Sequence, residues 1–380
     1  MIFDYETLKL IWWAFVGVLL VGFALTGGFD LGVGTLLPIL GRDDMERRIL
    51  INAIGPTWEG NQTWLITAGG ALFAAWPLVY AAAFSGFYIA FMLLLFALFF
   101  RPVGFDYRSK IADPRWRNTW DWALFAGGFI PALLLGVAFG NLLLGVPFRY
   151  DDTMRLEYTG GFFDLLNPMG LLAGVVSVAM FCMHGAAYIQ MKTSGVIAGR
   201  AARAAVISAV IACLAFALAG LLVWNSVEGY RIVSMPDVNS AFMPVAKTVV
   251  KEAGAWTLNY EKWPMLLLFP AAAFAGAVFC SLFSLKKWAW PAFIASGVSV
   301  GSIVLTAGTA MFPFVMPSSL EPGSGLTLWD AVASHRSLGM MFWVVLIMLP
   351  IVSLYTAWVY RVLRGKVTAE QIAKDEHSFY

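Results

Sequence analysis

Apolar residues fall along this chain in long blocks rather than in alternation, and the blocks set the expected architecture. Nine segments are long and apolar enough to be read as membrane-crossing helices, at about 10–37, 60–77, 80–100, 122–145, 165–190, 204–225, 264–284, 289–313 and 338–360. The second is the weakest, because it opens on the polar run WEGNQT. Dropping it would leave a long apolar stretch between Gly41 and Trp76 in water. The expected fold is an all-α membrane protein, one polytopic domain over 1–380, with two four-helix bundles and one extra helix. No clean internal repeat is visible. The longest connection, from Asn225 to Pro264, carries Pro236, Pro244 and the run VVKEAGAW and is expected to form a small cap on the outer face.

Composition agrees with a lipid environment. Hydrophobic residues make up 60% and charged residues 13%, with 16 Trp, 30 Phe and a mean hydropathy of +0.76, which excludes an ordinary soluble domain. The net charge of +2 gives no nucleic-acid stripe, since the basic residues sit in short clusters between apolar blocks. Those clusters set orientation instead. With nine spans and the amino terminus outside, 17 of the 25 Lys and Arg residues fall on one side, which predicts that side to be the cytoplasm and the carboxyl terminus to lie there. No small-residue cleavage site follows the first apolar run, so the first helix is expected to be retained. Cys182, Cys213 and Cys280 all lie within predicted spans, which suggests buried filler rather than a disulfide.

Polar residues at membrane depth are the candidates for chemistry, because each is costly there unless it faces other helices, a cofactor or water. Glu59, with Asn61 and Gln62 beside it, opens the second segment. In TGGFDLGVG, Gly28 and Gly32 sit four apart and allow a neighbouring helix to come close, with Asp30 between them. Asp30 lies roughly 30 Å along the first helix at about 1.5 Å per residue, near its inner end. The third segment ends at the same level in FFRPVGFDY, with Arg101 and Asp106, followed by Arg108. Asp30, Glu59, Arg101 and Asp106 are therefore expected to converge on one side, with Asp106 and Arg108 as an interfacial pair. Such a set is either static ion pairing or a place where protons pause. The histidines His184, His335 and His377 are too few and too scattered for bis-His haem ligation, and His184 is expected to be a satisfied core residue. No Cys/His metal spacing, phosphate loop or nucleophile elbow is present.

Long strings in this chain resemble a known family. WEGNQTWLITAGGALFAAWPLVYAAAFSGFY (58–88), FFRPVGFDYRSK (99–110), GVAFGNLLLGVPF (136–148), LLAGVVSV (171–178), TAGTAMFPFVMPSS (306–319), TLWDA (327–331) and LPIVSLYTAW (349–358) are similar to subunit II of bacterial cytochrome bd-type quinol oxidases. The resemblance spans the full length. It implies the non-haem subunit of a respiratory terminal oxidase in the cytoplasmic (inner) membrane, paired with a haem-bearing subunit I that carries haems b and d, with a small accessory subunit and a bound structural quinone as further partners. It also implies a proton path through Glu59, Asp30 and Asp106, supported by Asn61, Gln62, Arg101 and Arg108. Relatives often have Asp at the position of Glu59, and an acidic residue where Gly27 stands here, so a path that needs the latter is in doubt. A purely structural scaffold is the alternative. A secondary transporter, suggested by the glycine-interrupted first helix, fits less well because no inverted repeat is seen.

Overall fold

A computed structural model describes residues 3–374 and 380. Its helices are α1 (Tyr5–Leu40), α2 (Asp44–Ile54), α3 (Trp58–Ala75), α4 (Pro77–Gly86), α5 (Tyr88–Tyr107), α6 (Pro114–Leu144), α7 (Pro168–Lys192), α8 (Gly195–Asn225), α9 (Leu258–Lys262), α10 (Leu268–Leu285), α11 (Ala289–Met311), α12 (His335–Val362) and α13 (Ala369–Lys374). Among the described residues eight helices are long and apolar enough to cross a membrane: α1, α5, α6, α7, α8, α10, α11 and α12. The protein is thus an all-α membrane protein. Segment 60–77 forms α3, whose 18 residues span about 27 Å, close to a hydrocarbon core of about 30 Å. One end of α3 touches Asp30 through Asn61, and at the other the Ala75 carbonyl accepts from the Ala333 amide at 2.8 Å. Tyr5 also bonds Ala333, so α3 runs alongside α1 from the level of Asp30 toward the amino-terminal end of that helix.

One expected span is divided. Segment 80–100 comprises most of α4 and the first two-thirds of α5, and α5 continues to Tyr107. The division falls at Phe87, which leaves helical geometry at φ −93 and ψ 19, whereas Trp76, at φ −130 and ψ 70, separates α3 from α4 and Pro77 restarts the chain as a first helical residue, the position where its missing N–H costs nothing. The ends of several helices extend past the apolar blocks because capping side chains satisfy them. Asp4 accepts from the Thr7 amide and Asp113 from the Arg115 amide.

Packing centres on α1, which meets α3, α6, α7 and α11, while α7, α8, α10 and α11 form a second group and α12 leans on α1 from outside. The first contact is set by Gly32. A Cβ there would lie 1.9 Å from the Phe181 carbonyl oxygen, so the α1 and α7 backbones touch only because position 32 has no side chain. Gly128 on α6 does the same against the Leu31 carbonyl, where a Cβ would come within 2.6 Å. Asp30 is therefore on the turn of α1 that two other helices press most closely.

The long connection forms the expected cap, at one end of the bundle. Antiparallel strands β3 (Glu228–Ser234) and β4 (Thr248–Ala253) form a hairpin, and Trp256 and Tyr230 tie it to the end of α6 by donating to the Leu143 and Leu144 carbonyls. Two short hairpins, β1 (Phe148–Tyr150) with β2 (Leu156–Tyr158) and β5 (Phe314–Met316) with β6 (Leu326–Thr327), complete the layer. The Lys9 ammonium, fully buried, donates to the carbonyls of Val238, Ser240 and Trp329 at 2.7, 3.1 and 2.8 Å. Lys247 and Asp330 form an ion pair at 2.8 Å beneath the same layer, with both side chains completely covered. Burial pushes the Lys247 ammonium down from its ordinary range, and the neighbouring carboxylate opposes that shift.

Candidate functional site

The polar core lies where α1, α3, α5 and α12 meet. Asp30 is wholly buried, and one of its oxygens accepts from Asn61 Nδ2 at 2.8 Å. Asn61 in turn accepts from the Tyr360 hydroxyl at 2.5 Å, which brings α12 into the cluster. Arg101, also buried, reaches Asp30 at 3.9 Å, donates to Gln62 Oε1 at 3.2 Å and lies 5.5 Å from the centre of the Trp58 ring. Among the described residues Asp30 Oδ1 and Arg101 Nη2 have no hydrogen-bond partner. Taking two charges out of water costs several kcal/mol per ion unless close contact and saturated hydrogen bonding return it. Neither condition is met here.

The structure corrects the expectation that four ionisable groups come together. Asp30 and Arg101 do, with Asn61 and Gln62, but Glu59 and Asp106 are exposed and form no bond to them. The cause is helix phase: Glu59 precedes Asn61 by two residues, about 200° around α3, so it points away from α1. Glu59 and Asp106 instead lie near Tyr380, whose hydroxyl is pushed up first by burial and then by their two negative charges. Tyr380 is fixed there by α2: its amide donates to Asn52 Oδ1 at 2.8 Å, and its carbonyl accepts from Asn52 Nδ2 at 3.0 Å.

Arg108 is a second correction. It does not pair with Asp106. It is buried against Asp121 at 2.5 Å and Asp44 at 3.0 Å, and Arg47 and Arg117 bind the same two carboxylates. This network fastens α2, α5 and α6 together and lies apart from Asp30. Sequence reasoning also missed Tyr360 and Tyr380, which reach the site from 299 and 328 residues away from their partners. For Tyr360 the only local signal was an aromatic residue at the end of a span, which also describes ordinary interfacial anchors, and Tyr380 lies 18 residues beyond the end of α12.

Both ring nitrogens of His184 are engaged, Nδ1 with the Ser296 hydroxyl at 2.7 Å and Nε2 with the Leu25 carbonyl at 2.9 Å, and the ring stacks on Phe293. It is a packed core residue. His335 opens α12 and bonds the Phe3 carbonyl at 3.0 Å. His377 lies outside the described residues. Among the described residues no cluster of three or more His, Cys, Asp or Glu side chains could hold a metal ion.

A helical membrane bundle with an unsaturated carboxylate–guanidinium site near one end defines a class: a polytopic membrane protein that keeps ionisable side chains buried among its helices. Comparison with known proteins identifies the family. Residues 8–363 match the model of cytochrome bd terminal oxidase subunit II. The chain is 55% identical over 378 residues to cytochrome bd-I ubiquinol oxidase subunit 2 of Escherichia coli (strain K12), covering 99% of this chain and 100% of that one. It is 33% identical over 367 residues to cytochrome bd ubiquinol oxidase subunit 2 of Bacillus subtilis (strain 168), covering 95% and 97%. The fold is similar to a chain of the bd oxidase from Geobacillus thermodenitrificans, with a TM-score of 0.63 and 13% identity over 95% of this chain and 99% of that one. The chain belongs to the cytochrome bd terminal oxidase subunit II family and is one subunit of a quinol oxidase, an oxidoreductase complex.

Proposed function

We propose that this chain is the non-haem subunit of a complex that oxidises quinol and reduces dioxygen to water, and that its polar core supplies protons to a haem-bearing subunit I. The haems b and d of that partner would supply the redox chemistry. This chain's own residues hold and orient protons. The observation that carries the proposal is Asp30, a carboxylate sealed among helices with one oxygen unpartnered among the described residues and Arg101 held at 3.9 Å. A site built only for strength would close those gaps.

Glu59 and Asp106, exposed at the same end of the bundle, form the collecting surface, and Tyr380 lies near both. Asn61 and Tyr360 hold Asp30 in place from the other side. Arg101 stabilises the ionised carboxylate, and Gln62 keeps the guanidinium from turning away. Arg108 belongs to the scaffold rather than to the path. The same proposal places the protein in a bacterial inner membrane with the basic ends of its helices in the cytoplasm and the amino terminus outside. It includes a small accessory subunit and a bound structural quinone.

The test is oxygen consumption and haem content in membranes carrying Glu59→Gln or Asp30→Asn. A proton role predicts normal haem spectra with turnover lowered at least tenfold in Asp30→Asn and several-fold in Glu59→Gln. Full turnover in both variants would leave only a scaffold role.

A further inference from the structure

A wide groove runs between α1, α7, α8, α11 and the segment after α12, enclosing about 1980 Å³. That exceeds the roughly 300–1,000 Å³ of a usual small-molecule site. Its long wall is apolar, with Phe29, Phe293, Val298 and Leu305. From Trp290 to Leu305 along α11 the wall extends about 22 Å, more than half of a hydrocarbon core of about 30 Å. The other end is basic. Lys192, Arg203, Lys287, Arg364 and Lys366 line it, and among the described residues no carboxylate does. Lys192 is spent on the Leu363 carbonyl at 2.5 Å, whereas the other four make no ion pair among the described residues.

A buried amide adds a second requirement. Gln190, 6% exposed, donates through Nε2 to the Ser284 carbonyl at 3.0 Å, while its Oε1 lacks a donor among the described residues. Both residues line the groove at its basic end, next to Lys192. An occupant must therefore carry negative charge, offer a hydrogen-bond donor and possess a long apolar tail. An oxidised quinone has only carbonyl acceptors and no charge. A phospholipid with a hydroxylated anionic headgroup meets all three conditions, and basic pockets between membrane helices are suited to such headgroups.

We propose that the groove binds an anionic phospholipid of the phosphatidylglycerol type, its phosphate among Arg203, Lys287, Arg364 and Lys366, a headgroup hydroxyl on Gln190 and an acyl chain along α11. The test uses the purified two-subunit complex in detergent, exposed to mixed micelles of phosphatidylglycerol or phosphatidylcholine and examined by native mass spectrometry. Wild type should retain phosphatidylglycerol at least tenfold better than phosphatidylcholine. R203Q/K287Q/R364Q/K366Q should lose that preference while keeping its haem spectrum, and Q190L should bind phosphatidylglycerol several-fold more weakly. If the fourfold variant fails to assemble, R203Q/K287Q serves, with at least a threefold loss expected. Equal retention of the two lipids by wild type, unchanged retention in every variant that assembles, or a quinone that phosphatidylglycerol does not displace would overturn the proposal.

Discussion

Lys247–Asp330 and Arg101–Asp30 are both buried charge pairs in one chain, yet they are built to opposite standards. In the first, the ammonium lies 2.8 Å from the carboxylate and also donates to the carbonyls of Pro244 and Gly323. The carboxylate accepts from the Thr327 amide at 2.9 Å and its hydroxyl at 2.7 Å. In the second, the charges stand 3.9 Å apart and each has an atom with no partner among the described residues. A saturated pair has one stable arrangement. An unsaturated pair leaves room for a proton or a water molecule to come and go, which is what a relay needs and a lock avoids.

The largest expected effect tests the lock. Lys247→Met strands the Asp330 carboxylate in a dry pocket and should cost about 3–5 kcal/mol, read as a drop in the melting temperature of the complex. Lys247→Met combined with Asp330→Leu should recover most of that loss. Arg101→Met should cost less, about 1–3 kcal/mol, because a pair at 3.9 Å returns little of its desolvation to begin with. Equal losses at the two sites would erase the distinction between them. Tyr360→Phe removes one hydrogen bond to Asn61 and should cost about 1 kcal/mol, with turnover falling a few-fold. Turnover unchanged alongside the stability loss would remove α12 from the working site.

The smallest effect concerns pH. Glu46, on α2, is held below the usual carboxylate range first by its hydrogen bond from Arg200, with help from the Arg42 amide. A folded-state value below the unfolded one means that its contribution is complete above about pH 4.3 and fades as the pH falls through that range. Wild type should therefore lose about 0.5–1 kcal/mol more than Glu46→Gln on acidification from pH 6 to pH 3. Parallel acid melting curves would show that the contact contributes nothing.

What the sequence reveals follows from cost. Asp30 stands out because a carboxylate inside an apolar block needs a reason, and Gly28 and Gly32 beside it foretell the close approach of another helix. Glu59 stands out for the same reason but is placed wrongly, since the polar run WEGNQT hides which side of α3 faces inward. Tyr360 and Tyr380 are invisible because their roles depend on folding across about 300 residues. Lys247 and Asp330 lie in segments between the long helices, where charge looks ordinary, and only the cap over them reveals a dry interior.

The Lys9 ammonium has a consequence for the order of synthesis. Its helix is made first, but the three carbonyls that receive it come from Val238, Ser240 and Trp329, which leave the ribosome more than two hundred residues later. Until then a full positive charge at the head of the first helix must stay wet. The amino-terminal end of the bundle can therefore close only when almost the whole chain has been made, so a truncated product carries an exposed charge that marks it as unfinished.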